Sequence, residues 1–226
     1  MTTRSEITEL LSRYFYCRGK ITITPAGMVD VSGSVEFMGR VKFTQLPVKF
    51  RYVGGYFVCR GQGLTTLEGC PTHVGDNFDC SKNNLTSLEH APIAVGKNFL
   101  CDENELTSLE HAPQMIDGKF NCSHNQLKNL LHAPTHVGID FSCHGNPLVS
   151  LEGAPPKVGR YWWLTYTPYL PLLRTLNCEQ VEFVNMTKDA NKVALILNQH
   201  SNTGRPGIIR ASVALIRAGY KENARW

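Results

Sequence analysis

The chain has 226 residues, 42% of them hydrophobic, and a formal net charge of +4. It holds no run of 18 apolar residues, which excludes a membrane-spanning helix, and Met1-Thr-Thr-Arg-Ser-Glu-Ile lacks the charged-then-apolar order of a secretory signal. Eight cysteines without an export signal then suggest a reducing compartment and free thiols.

The charge is uneven. Residues 1–54 carry eight Lys/Arg against four Asp/Glu, residues 55–159 six against eleven, and residues 160–226 nine against four. The middle is acidic and the flanks basic. A phosphate-binding surface needs a basic footprint, so the middle is a poor nucleic-acid site.

In chain order, Ile7, Leu10, Leu11, Tyr14 and Phe15 space like the apolar stripe of one amphipathic helix. Residues 20–37 alternate through Ile21, Ile23, Val29, Val31, Val35 and Phe37 around Pro25-Ala26-Gly27. This predicts a β-hairpin closing an open sheet edge. From residue 57 a pattern repeats every 21 residues: Phe57/Cys59, Phe78/Cys80, Phe99/Cys101, Phe120/Cys122 and Phe141/Cys143. That period is too short for two helices per unit and fits one strand with a short return path.

Aligned on Phe-x-Cys, two Leu columns appear, from Leu64 and Leu67 to Leu148 and Leu151. A Pro column and a Val/Ile column follow, the latter usually before Gly, with Asp117 in that Gly position once. Period-two alternation puts Phe and Cys inside and the residue between them outside. Each large side chain so buried contributes roughly 1.5–3 kcal/mol. Such turns bury their core only against one another. Asn83, Asn104, Asn125 and Asn146 stand three after each Cys, where a buried amide can satisfy the backbone leaving the strand.

The period reaches back weakly, through Phe43, Leu46 and Val53-Gly54, and forward to Trp162 and Leu164. Beyond residue 170 it changes. Asp189–Gln199 and Pro206–Ala218 read as helices, the second with Ile209, Val213 and Ile216 as its apolar positions. Three segments result: a helix-plus-hairpin N-terminal cap over 1–33, a repeat solenoid over 34–165 and a small helical C-terminal cap over 166–226.

Asn83-Asn84-Leu85-Thr86-Ser87-Leu88, followed by Pro and the next strand, resembles a bacterial-type leucine-rich repeat. The longer string L-T-S-L-E-x-x-P-x-x-V-G-x-x-F-x-C resembles leucine-rich-repeat proteins encoded by tailed bacteriophages. The resemblance covers about residues 34–165. It implies an α/β solenoid, a short parallel-sheet horseshoe with capped ends, of viral origin and with a binding mode. It carries over no catalytic residue.

The outward strand positions vary while the inward ones hold. The expected partner-binding residues are Tyr56, Val58, Arg60, Asp79, Leu100, Asp102, Lys119, Asn121, His144, Tyr161 and Trp163. The hot-spot types among them gather at the two ends. Six strands give a strip of about 360 Å², against about 800 Å² per partner in a standard interface, so a partner must also touch loops or a cap. Arg205, Arg210, Arg217 and Lys221 are the candidate phosphate contacts. The Cys column reads as packing, and His90, His111 and His132 as a hydrated edge.

No phosphate-binding Gly loop, H-E-x-x-H or G-x-S-x-G occurs. The expectation is a non-enzymatic protein-binding module without cofactor or metal, placed in a host cytoplasm or in a virion. The alternatives are a structural virion component and a nucleic-acid-binding accessory protein.

Overall fold

The computed structural model describes residues 3–39 and 41–226. Over these residues the chain is a parallel-sheet β-solenoid of about seven turns with three α-helices, compatible with a leucine-rich-repeat-like protein. Helix α1 (Arg4–Tyr14) starts on a capping box, in which the Thr3 hydroxyl accepts from the Glu6 N–H and the Glu6 carboxylate accepts from the Thr3 N–H. Ile7 and Leu11 are its buried positions. Strand β1 (Phe15–Cys17) follows, then β2 (Ile21–Ile23), β3 (Val29–Val31), β4 (Val35–Phe37) and β5 (Phe50–Val53).

From there the next four turns contribute two short strands each, and the fifth one strand and a single bridge at Val158. Those at the Phe-x-Cys positions are β6 (Phe57–Val58), β8 (Phe78–Asp79), β10 (Phe99–Leu100), β12 (Phe120–Asn121) and β14 (Phe141–Ser142). Those at the Val/Ile positions are β7 (His73–Val74), β9 (Ala94–Val95), β11 (Met115–Ile116) and β13 (His136–Val137). Strand β15 (Tyr161–Leu164) continues the first series, and β16 (Gln180–Phe183) lies beside it. The first sheet runs β1-β4-β6-β8-β10-β12-β14-β15-β16. The second runs β2-β3-β5-β7-β9, and β11-β13 pair separately.

The region read as one hairpin divides between the two sheets. Strands β2 and β3 form an antiparallel pair at the edge of the second sheet. Strand β4 crosses to the first sheet, where β1 pairs with it antiparallel. Both sheets therefore end in an antiparallel strand on this side.

In-register pairing of Phe78 with Phe99, Phe99 with Phe120 and Phe120 with Phe141 makes 21 residues one turn. Their rings stack at 5.3–5.8 Å, and Trp162 closes the column edge-on at 5.3 Å from Phe141. The Leu columns and all five Phe-x-Cys cysteines are buried around this stack.

The Asn column is a hydrogen-bonded ladder. Asn83 Nδ2 donates to the Cys59 and Cys80 carbonyls at 3.0 and 2.9 Å. Its Oδ1 accepts from the Gln62, Gly63 and Leu64 N–H groups at 2.9–3.0 Å. Asn104, Asn125 and Asn146 each donate to a carbonyl on their own turn and to another one turn back.

Two columns need a left-handed backbone. One is Gly61, Lys82, Glu103, His124 and Gly145, and the other is Gly69, His90, His111, His132 and Gly153, all with positive φ. The second explains why the histidines recur where they do: they occupy the conformation that Gly holds in the outer turns. His90, His111 and His132 are exposed, as a hydrated edge requires.

Past residue 165 the 21-residue register ends, and β16 follows Tyr161 by 19 positions in the pairing. A 3₁₀ turn at Leu173–Asn177 precedes it, and helices α2 (Lys188–Asn198) and α3 (Gly204–Arg217) follow. Helix α3 buries Gly207, Ala211 and Leu215. Its Ile209, Val213 and Ile216, the apolar positions by which the segment reads as a helix, face outward at 58%, 42% and 53% exposure.

Candidate partner-binding face

The residue between Phe and Cys in each strand points away from the Phe stack. Val58, Asp79, Leu100, Asn121, Ser142 and Trp163 form this column, and all are half-buried. Those before Phe and after Cys widen it into a face.

At the end nearest the N-terminus the polar groups are tied to one another. Arg60 Nη1 donates to Ser81 Oγ at 2.6 Å and stands 3.8 Å from the Asp79 carboxylate. Asp79 Oδ1 also accepts from the Ser81 N–H at 3.0 Å. Asn121 and Ser123 repeat this turn, with N–H and hydroxyl contacts of 3.1 and 2.7 Å. Asp102 is buried, and its carboxyl is pushed up by that burial and by the charge of Asp79. Tyr56 and Val58 are half-buried beside this group.

The other end holds a groove of about 440 Å³. Leu100, Lys119, Asn121, His144, Tyr161 and Trp163 line it, all expected from the sequence, together with Asp140, Ser142 and Arg160. The structure thus gathers six of the eleven expected residues around one hollow, while Tyr56, Val58, Arg60, Asp79 and Asp102 lie elsewhere on the face. Lys119 Nζ pairs with the Asp140 carboxylate at 2.9 Å, and only 8% of the Asp140 side chain is exposed. Asp140 Oδ1 also accepts from the Tyr161 N–H at 3.4 Å.

The Arg160 guanidinium lies 4.9 Å over the Tyr161 ring, and the Tyr161 and Trp163 rings are 5.9 Å apart. His144 packs edge-on to His124 at 4.8 Å. Burial first, and His124 second, lower the His144 pKa, so its imidazole is neutral near pH 7. Pairing across β15 and β16 adds Glu182 beside Trp163. The hollow is therefore two aromatic rings bordered by the Lys119–Asp140 ion pair, the Arg160 guanidinium, the Asn121 amide and a neutral imidazole. Arg160 was not expected from the sequence. A cation directly before an outward aromatic was its signal.

The cysteines are free, and the five of the repeats are buried. Burial raises the thiol pKa of Cys80, Cys101, Cys122 and Cys143, the last to about 12. Such thiols are inert packing groups. Among the described residues no three His, Cys, Asp or Glu side chains are placed to hold a metal ion, and no helix is long and apolar enough to cross a membrane.

Arg205, Arg210 and Arg217 are exposed on α3, and Lys221 is exposed just beyond it. They lie outside the groove described above.

Comparison of the chain with protein-family models, with curated proteins and with solved structures returns no match.

Proposed function

We propose that the protein is a non-enzymatic protein–protein interaction module that docks a segment of another protein on this face, centred on Tyr161 and Trp163. The observation that carries the reading is the aromatic hollow at one end of a face whose remaining polar groups already satisfy one another. Half-buried Trp and Tyr are the side chains that dominate binding energy when a partner covers them. Lys119 already pairs with Asp140, and Arg160 covers the Tyr161 ring, so the hollow carries little net charge and favours a partner segment that sets an apolar or aromatic side chain against Trp163.

The repeat string supports a finer reading. The chain is a leucine-rich-repeat horseshoe with capped ends, encoded by a tailed phage, and it acts in the host cytoplasm on a host or defence protein. Tagged protein expressed in a bacterial host should retain one host protein in stoichiometric amount. The double variant Tyr161→Ala/Trp163→Ala should lose it by at least tenfold at unchanged melting temperature. Equal capture by the double variant would remove the face from the reading. Recovery of the chain in purified virions, with no host protein retained, would replace the reading with a structural virion role.

A further inference from the structure

Helix α3 has an outer face unlike those of the other two helices. Ile209, Val213 and Ile216 stand four and three apart, on one side, and all are exposed. Arg205, Arg210 and Arg217 flank them, and the helix contains no acidic residue. An aliphatic stripe between cations is a poor phosphate site, because phosphates cover no aliphatic surface. It calls for an occupant that is both apolar and acidic.

The same chain offers such a surface on its other side. A groove of about 730 Å³ runs from Met28 to Met115 along the segments that lead into the Val/Ile strands. Ile93 and Met115 line it, at 71% and 60% exposure. Glu68 lies in the groove, and Glu89 and Glu110 directly precede its lining residues His90 and His111. Lys49, paired with Glu68 at 2.8 Å, is its one lysine.

The dimensions agree. The groove runs past the starts of β3, β5, β7, β9 and β11, five successive turns, about 19 Å at the usual strand spacing. The 14 residues of α3 span about 21 Å. Arg210 and Arg217 stand roughly 10 Å apart along the helix, as do Glu68 and Glu110, two turns apart on the solenoid. Helix α3 follows β16, the last strand of the first sheet, whereas the groove lies over the early turns.

We propose that α3 of one copy lies in the second-sheet groove of a second copy, with Ile209, Val213 and Ile216 against Ile93 and Met115 and the arginines against the Glu column. The two patches differ, so one contact leaves a free helix and a free groove, which a reciprocal contact closes into a two-fold pair or further copies extend into a chain. It is separate from the Trp163 face and stands whether or not that face binds a partner.

Sedimentation velocity over a concentration series tests this. The full chain should gain mass with concentration and lose that gain in high salt. Arg210→Glu/Arg217→Glu and Glu89→Arg/Glu110→Arg should each weaken self-association at least tenfold while melting like the wild type. Mixing the two variants should restore it, since each then supplies the charge that the other lacks. A wild type that stays monomeric at the highest attainable concentration overturns the proposal, as does association that neither swap changes. Monomers that instead bind vesicles of anionic phospholipid through α3 would assign the face to a lipid surface and overturn it equally.

Discussion

Asp117 stands where Gly96 stands one turn earlier, and between these two turns the second sheet is interrupted. Every other neighbouring pair of turns on that side is joined, through β3-β5, β5-β7, β7-β9, β11-β13 and the Val137–Val158 bridge. The Gly column shows the cause. A Cβ on Gly75, Gly96, Gly138 or Gly159 would collide with the carbonyl one turn below. Asp117 carries that Cβ, so β11 forms no strand pair with β9, although the next N–H, that of Gly118, still reaches the Lys97 carbonyl at 3.1 Å.

Asp117→Gly should therefore close the gap. Hydrogen exchange at Asp117's position should slow by about tenfold as its N–H gains the Val95 carbonyl. Gly96→Asp should open a second gap and destabilise the fold by about 1–3 kcal/mol in urea unfolding. Unchanged exchange in the first variant would mean that something other than the side chain holds the turns apart.

Asn125 joins two turns through one amide. It donates to Cys101, Cys122 and Ser123 carbonyls at 3.0–3.2 Å and accepts from the Leu106 N–H at 2.9 Å. Asn125→Ala leaves those groups buried without partners and should cost about 2–4 kcal/mol by equilibrium denaturation. Asn146→Ala, whose amide is only part-buried, should cost less.

His111 has φ +67° and an exposed ring. His111→Gly should stabilise the protein by about 1 kcal/mol, because glycine adopts this conformation freely. A thermal shift upward in this variant would establish the column as a backbone feature. A fall in stability would mean that the ring makes a contact worth more than the strain.

Asp102 gives the pH prediction. Its carboxyl is raised by burial and by Asp79, so the folded protein holds that proton more tightly than the unfolded chain. Ionisation therefore costs stability. The cost is absent below the ordinary carboxyl range and grows as pH rises through the raised folded value. Asp102→Asn should match the wild type near pH 3 and exceed it in stability at pH 7. Urea unfolding across that range checks this, and a constant difference between the two proteins would refute it.

Much of the fold was legible because the solenoid copies one turn. Phe78, Phe99 and Phe120 repeat an identical environment, so a column in sequence is a column in space. The Asn ladder followed from its fixed offset to Cys. Strand β16 leaves no such signal, because Gln180–Phe183 sits outside the 21-residue register and is only four residues long. The orientation of α3 was not legible, because Ile208, Ile209, Val213, Leu215 and Ile216 surround more than one face. Close approach through Gly207 and Ala211, not side-chain bulk, chooses which face is buried. On the candidate face, the sequence indicated Tyr161, Trp163 and His144. It could not indicate that Asp140 is buried under them, since that depends on how neighbouring turns settle.

The matched register from Phe78 to Phe141 has an evolutionary corollary. Each middle turn hands the next the same hydrogen-bonding ends and the same ring to stack on. A unit duplicated or excised in phase would leave its flanks able to rejoin. The number of turns, and with it the separation between the Arg60 and Trp163 ends, is thus open to change by recombination without rebuilding the core.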